Sequence, residues 1–390
     1  MKGYLKMFKL SLKMKKILFI LMLIFILFNF YKINLSNYSK SKEIQDNLVK
    51  HPENLPTKEF ALKTSFGFKN VRADIYRLKT IQYIGSNAVS SEYKKYLYFI
   101  TDLITELNPN FKHPYIVSEL LLPSTNHNES LNVDVVEKHI NEAEKIGLKG
   151  IKNFCDEEKI EKIKDEYDLN KIWILDKYRK PCSNYQIPYY LAYIYYFYKK
   201  DPLKSSLYYK VASASNTELD GIKVMAAIMQ GKGGNREKSF FMFLNIARTI
   251  ENENETCNKF SSDLEKAGVQ IFKKNYPLNG KFIKDMGDWR NKLFGKFNPD
   301  KELEELSDTK CSNYINKAVR ELNLYYLEKA NEKFKKNNNG LSARNAKVLF
   351  NQGYIDYLPI DFQQYEEQGI IYEYNPDTGF FDYEMGKYDN

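Results

Sequence analysis

Apolar residues recur along most of the chain at intervals of three and four, the spacing of one face of an α-helix. Asn70–Ile84 sets Val71, Ile75, Leu78 and Ile81 on a single face, and this face is expected to pack inward. After a polar break at Gly85–Ser91, Tyr93–Leu107 repeats the period through Tyr96, Leu97, Ile100, Leu103, Ile104 and Leu107. Asn108-Pro109 ends that helix, because proline lacks an N–H and disfavours helical geometry in the residue before it. Pro114 can open the next helix, which runs through Leu122 to the stop at Pro123. Asn132–Asn153 then predicts another, with Val135, Val136, Ile140, Ala143 and Ile146 inward. Near the end, Cys311–Lys336 reads as one long helix closed by Asn337-Asn338-Asn339-Gly340. Ser342 is expected to cap a short helix ending near Asn351, with Gly353 just beyond it. Only there does the period fall to two: Ile370–Tyr374 and Phe380–Tyr383 flank Asn375–Gly379, whose residues suit a hairpin turn.

The first stretch has a different pattern. Ile17–Phe30 is charge-free, with Asn29 its only polar side chain. As a helix, Ile17–Ile33 spans roughly 25 Å, slightly short of a ~30 Å hydrocarbon core. Six lysines (Lys2, Lys6, Lys9, Lys13, Lys15 and Lys16) precede it without a single acid. That asymmetry puts the N-terminus in the cytoplasm and the body across the membrane. An uncleaved signal anchor is favoured over a cleaved signal, since Asn34–Tyr38 offers no small-residue cleavage site; a buried soluble helix is the third reading. No later stretch is long and apolar enough to span again. The expected organisation is a lysine-rich tail and transmembrane anchor (1–33), a polar linker (34–60), a helical repeat domain (61–309), and a long helix with a small β-hairpin tail (310–390).

Charge and composition narrow this further. The net charge of the 390 residues is +9, and removing the six leading lysines leaves +3 for the remainder. A nucleic-acid binder would concentrate positive charge on its folded surface, so no nucleic-acid partner is expected. Twelve prolines and eighteen glycines are few for this length and disfavour a turn-rich all-β fold. The fold class is all-α.

Two segments in the middle of the chain repeat one another. In IPYYLAYIYYFYKKDPLKSSLYYKVASAS, Tyr189, Ala192, Tyr195 and Tyr196 precede a KKDP turn, and Ser205, Tyr209 and Ala212 follow it. In LDGIKVMAAIMQGKGGNREKSFFMFLNIARTI, Ala226 and Ala227 precede a glycine-rich turn, and Ser239, Phe243 and Ile246 follow it. Ser205–Ser239, Tyr209–Phe243 and Ala212–Ile246 are each separated by 34 positions, the period of tetratricopeptide repeats. Together with Phe66–Tyr83, Leu103–Phe111, Leu191–Ala212 and Gly231–Ala247, this resembles bacterial membrane-anchored, tetratricopeptide-repeat-like proteins. The resemblance implies an α-α hairpin solenoid acting as an interaction scaffold, and it transfers no catalytic residues. Ser205 and Ser239 stand where alanine is usual, no Trp opens the helices, and Cys155–Pro181 reads as an insertion. The order long helix, short helix, G-Y-I-x-x-L-P-x-D, hairpin is similar to the C-terminal part of pseudopilins and type II secretion proteins. A hairpin capping the open end of the solenoid is the plainer reading.

Reactive constellations are sparse. His51, His113, His127 and His139 lack metal-ligand spacing, and neither a cofactor nor a metal is expected. Gly231–Asn235 (GKGGN) lacks the order of a phosphate-binding loop and reads as a helix–helix turn. Cys155, Cys182, Cys257 and Cys311 allow three pairings. Cys155–Cys182, stapling the insertion, and Cys257–Cys311, tying the last repeat to the tail helix, are favoured over the other pairings, with four free thiols the alternative. Tyr189, Tyr193 and Tyr196 are the candidate groove, because tyrosine joins apolar area to a hydrogen-bonding tip.

The expected function is therefore non-enzymatic: a single-pass extracytoplasmic scaffold binding a protein partner, with a pilus or secretion component suggested by the tail. The alternative is an envelope enzyme or ligand-binding domain whose pocket the sequence does not identify.

Overall fold

A computed structural model describes residues 19–35, 54–88, 90–124, 132–216, 220–248, 255–273, 279–294, 308–359, 361 and 370–385. They are mostly helical and end in a two-stranded antiparallel hairpin. Close contacts divide the chain into two compact units, Met1–Asn108 and Pro109–Asn390.

In the first unit, helix α1 (19–35) is exposed along its whole length. Among the described residues no helix is long and apolar enough to cross a membrane. The described part of the expected span, 19–33, covers only about 22 Å, and Ile17 and Leu18, where that span begins, lie outside the described residues. Most of the expected linker lies outside them too. Helices α2 (Lys58–Lys63), α3 (Lys69–Ser86) and α4 (Lys94–Leu107) follow. The α2–α3 corner is tied by Arg72, whose Nη1 donates to the Ala61 carbonyl at 2.9 Å and to Thr64 Oγ1 at 2.6 Å.

The face of α3 turned inward is not the one the apolar spacing predicts. Val71, Ile75, Leu78 and Ile81 are 54%, 44%, 61% and 54% exposed. Ala73, Tyr76, Thr80 and Tyr83 are buried instead, and Tyr83 meets Tyr96 of α4 edge-on. The reason is chemical: tyrosine and threonine bury apolar area while their hydroxyls find acceptors, Tyr83 at the Glu92 carbonyl and Thr80 at that of Tyr76.

The second unit begins with α5 (Lys112–Leu121) and α6 (Val133–Phe154), the latter capped by Asn132. Here the expected inward face is met in part, with Ala143 and Ile146 buried as the spacing predicts. Val135 is exposed and Val136 and Ile140 are half-buried, whereas His139, Ala143, Ile146, Gly147, Gly150 and Ile151 form the buried line. Gly147 decides it. A Cβ there would lie 2.6 Å from Glu119 Oε1 and 2.9 Å from Leu191 Cδ1, so only glycine lets α5 and the helix that carries Leu191 approach this closely.

The inserted segment folds as α7 (Glu157–Asp165) and α8 (Leu169–Ile174), each capped by an aspartate. Its base is closed by a Cys155–Cys182 disulfide and by Asp156 N–H donating to the Pro181 carbonyl at 2.7 Å. Its far end is held by Lys210, whose amine donates to the carbonyls of Ile163, Lys164 and Glu166 at 2.8–2.9 Å. Burial pushes that amine down to about 7, while three carbonyl acceptors match the three N–H bonds of its protonated form.

Helices α9 (Gln186–Phe197), α10 (Pro202–Ser215), α11 (Asp220–Lys232) and α12 (Arg236–Arg248) pack each on the next. The 34-residue correspondence has a geometric counterpart. Ser205 Oγ donates to the Ala192 carbonyl and Ser239 Oγ to the Ala227 carbonyl, both at 2.8 Å and both fully buried. Tyr209 and Phe243, one turn further on, are each 2% exposed.

Helices α13 (Glu255–Lys273), α14 (Gly280–Phe294), α15 (Asp308–Asn337) and α16 (Ala346–Asn351) complete the helical part, with a Cys257–Cys311 disulfide joining α13 to α15. Asn345 rather than Ser342 caps α16: its Oδ1 accepts from Val348 N–H at 3.0 Å, the reach from the N-cap into the first turn. Strands β1 (Ile370–Asn375) and β2 (Phe380–Met385) pair from Ile370–Met385 to Asn375–Phe380. Tyr372 and Phe381 pack with Leu324, Leu327 and Leu349 into a core shared with α15 and α16.

Candidate functional site

Helix α9 is apolar on most sides, and its tyrosines divide by direction. Tyr195 is buried, donating to Glu144 Oε1 at 2.8 Å. Tyr189, Tyr193 and Tyr196 are half-buried on the side that meets α10. The structure brings these three together around Tyr209, whose ring lies edge-on to Tyr189 at 5.6 Å. Burial, and then the three phenols around it, raise the Tyr209 hydroxyl above its ordinary range. Tyr193 continues the surface toward Phe197, 4.2 Å between ring centroids. Together the rings offer a half-exposed aromatic face.

Beside this face lies a cluster of buried charges that sequence reasoning does not anticipate. Lys232 connects the two: its ammonium is 6.0 Å from the Tyr196 ring centroid and donates to Asp382 Oδ2 at 2.5 Å. Arg236, 2% exposed, donates through Nε to Glu328 at 2.9 Å, through Nη1 to Glu321 at 3.2 Å, and through Nη2 to the Phe381 carbonyl. Arg320 forms a two-pronged pair with Asp361, 2.5 and 2.8 Å, and Tyr372 donates to the same carboxylate at 2.8 Å. Asp361 is the final residue of the G-Y-I-x-x-L-P-x-D segment, which places that motif's acid inside the protein.

The glycine-rich turn acquires its explanation here. Gly234 has φ +82°, and a Cβ on it would meet the Phe380 ring at 2.3 Å; one on Gly231 would meet Glu321 Oε1 at 2.6 Å. These glycines seat the hairpin and the α15 carboxylate. They cradle no phosphate.

Electrostatics follow from crowding two carboxylates on one guanidinium. Burial raises Glu328 to about 7, with Arg236 pulling the other way, and burial likewise raises Glu321. For Arg236 burial opposes the charge, but Glu321 and Glu328 outweigh it and hold the guanidinium protonated. The cleft bordered by Lys232, Arg236, Arg320, Glu321, Asp382 and Tyr383 encloses about 10 Å³, roughly the room of one water molecule. Such a site can clamp secondary structures together; it has no space for a substrate.

A second buried carboxyl stands alone. Both oxygens of Glu119 on α5 lack a hydrogen-bond partner, and burial raises it well above the usual carboxylate range. Its Oε1 lies where a Cβ on residue 147 would stand, so the carboxyl packs on Gly147 of α6.

The four cysteines are joined in two pairs, with Cα separations of 4.0 Å for Cys155–Cys182 and 6.3 Å for Cys257–Cys311. Among the described residues no group of His, Cys, Asp and Glu is placed to hold a metal ion. Helical spacing indicates the tyrosine face, whereas the ionic cluster joins residues 41 to 150 positions apart and leaves no local signature. Its one visible trace is Gly231, where a Cβ would meet Glu321; Gly234, at φ +82°, is required by the α11–α12 turn itself. Comparison with family models, with curated proteins and with solved structures gives no match.

Proposed function

We propose that this chain is a membrane-anchored, extracytoplasmic helical-repeat scaffold that binds a protein partner through the tyrosine face of α9 and α10. The observation that carries the reading is repetition. Two successive hairpins use a like serine-to-alanine-carbonyl bond, the serines 34 and the acceptors 35 residues apart, as stacked tetratricopeptide-like units would, and stacked hairpins leave one continuous face for a ligand. Tyr189, Tyr193 and Tyr196 lie on that face half-exposed, with the mix of apolar area and hydroxyl groups that protein interfaces favour.

The anchor part of the proposal is supported by α1, apolar all round from Phe19 to Phe28 and nowhere buried, since a helix of that kind belongs in a core or a bilayer. Six lysines before it orient the body outward, and two disulfides suit a compartment that allows them. The tail's likeness to pseudopilins makes a pilus or secretion component the first partner to seek, by analogy alone.

The test is photo-crosslinking in native membranes. Benzoylphenylalanine in place of Tyr193 should give an adduct with a second protein species, and the same group at Ile174, exposed on α8, should not. Adducts equal at both positions, or none from Tyr189, Tyr193 and Tyr196 in turn, would remove the scaffold reading.

A further inference from the structure

The outward face of α3 has no use in the fold just described. Val71, Ile75, Leu78 and Ile81 form a stripe along it, and Phe68 and Phe66 extend the stripe past its N-terminus, 69% and 85% exposed. Between Phe60, Phe68, Val71 and Ile75 the surface is concave, an open groove of about 440 Å³. Burying the small and hydroxylated face of a helix while presenting its aliphatic face to solvent reverses the usual arrangement. That reversal calls for an apolar occupant outside the unit.

We infer that the occupant is an anionic lipid surface, against which α3 lies flat. Two observations select it. The first is charge: α3 carries Lys69, Arg72, Arg77 and Lys79 against Asp74 alone. On a helical wheel Arg72 and Lys79 flank the stripe on one side and Arg77 on the other. Basic side chains flanking an aliphatic face are the composition of helices that rest in the headgroup region, with the apolar side about 5–10 Å deep; phosphate groups complement the flanks and acyl chains the stripe. The second is continuity. The same unit begins with α1, whose side chains from Phe19 to Phe28 are apolar and exposed all round, and α2 is the next helix described along the chain. A bilayer that takes up α1 is therefore held at high effective concentration beside α3. Asp74 interrupts the stripe beside Ile81 and opposes docking. This inference rests on the anchor reading of α1, and its test separates the two.

The experiment uses the full chain reconstituted into vesicles of phosphatidylglycerol and phosphatidylcholine whose acyl chains are brominated near the headgroup. Leu78→Trp adds a tryptophan to the native Trp173 and Trp289, and the parent protein supplies the background. The inference expects the added emission to be lost in brominated vesicles relative to unbrominated ones. The same tryptophan at Lys95→Trp, exposed on α4 and so behind the buried face of α3, should keep its emission. Asp74→Asn should deepen the loss at position 78, and vesicles without phosphatidylglycerol should weaken it. If the protein floats with the vesicles and the tryptophan at 78 stays bright, the lipid contact is overturned and the anchor stands; a protein occupant of the stripe would give this result. If the protein does not float, both readings are overturned.

Discussion

Helices α3 and α12 resolve their hydrophobic patterns in opposite ways. In α3 the aliphatic residues face solvent and the tyrosines and a threonine face the protein. In α12 nearly every residue is buried, and the burial includes a charged one, Arg236. The first unit thus leaves outside the residues that normally hold a fold together, and the second takes inside a charge that normally stays out. Tyrosine burial accounts for the face that α3 turns inward but not for the aliphatic face left exposed. An aliphatic stripe left open is free for another apolar phase. Buried charges give directional, mutually exclusive contacts that fix where the hairpin sits on α11, α12 and α15, a registry role such groups are known to take.

The contrast can be broken most sharply at Arg236. Arg236→Leu leaves Glu321, Glu328 and the Phe381 carbonyl without their shared donor. The expected cost is about 3–5 kcal/mol, the usual penalty for removing one member of a buried ionic group. Urea denaturation measures it. A loss under about 1 kcal/mol would make the seam ornamental, in the range of a surface pair.

A smaller effect is expected from pH, and its sign is fixed. Glu119 and Glu328 have folded pKa values raised above those of the unfolded chain. Their contribution is complete below the unfolded value near 4.5 and declines as pH rises, for Glu328 up to about 7 and for Glu119 throughout that window. Each proton held only by the folded state lowers stability by about 1.4 kcal/mol per pH unit. Glu119→Gln removes one such proton, so urea midpoints measured between mildly acidic and neutral pH should fall less steeply in the variant. Parallel slopes for the two proteins would show that Glu119 is already ionised.

Much of this architecture is legible in the sequence, and the illegible parts share a cause. The helices from Tyr93 onward, the long tail helix and the hairpin turn at Asn375–Gly379 follow from local periodicity and turn chemistry, which act within a few residues. The 34-residue register of Ser205 and Ser239 is visible because a repeat imposes the same local demand twice. What fails is the choice of face where two faces compete. In α3 the aliphatic spacing favours Val71, Ile75, Leu78 and Ile81, yet Tyr76 and Tyr83 bury large rings and pair their hydroxyls, Tyr76 accepting from Arg72 Nε and Tyr83 donating to the Glu92 carbonyl. In α6, Gly147 and Gly150 let α5 and α9 approach closely, so the buried line runs through the glycines beside Ala143 and Ile146 and leaves Val135 outside. Among the candidate residues, Tyr189, Tyr193 and Tyr196 lie together as their spacing implies. The Arg320–Asp361 and Lys232–Asp382 pairs depend on tertiary approach, and no pattern within the helices announces them.

The most direct test of the central contrast, and the smallest expected effect, is the stability of Ile75→Ser/Leu78→Ser. Both side chains lie on the open face of α3 and leave no cavity when shortened, so urea unfolding should match the parent within about 0.5 kcal/mol, the range of ordinary surface substitutions. A loss of about 2–5 kcal/mol, the cost of truncating a packed core residue, would mean that the stripe is core after all and that the first unit folds around the face assigned here to the outside.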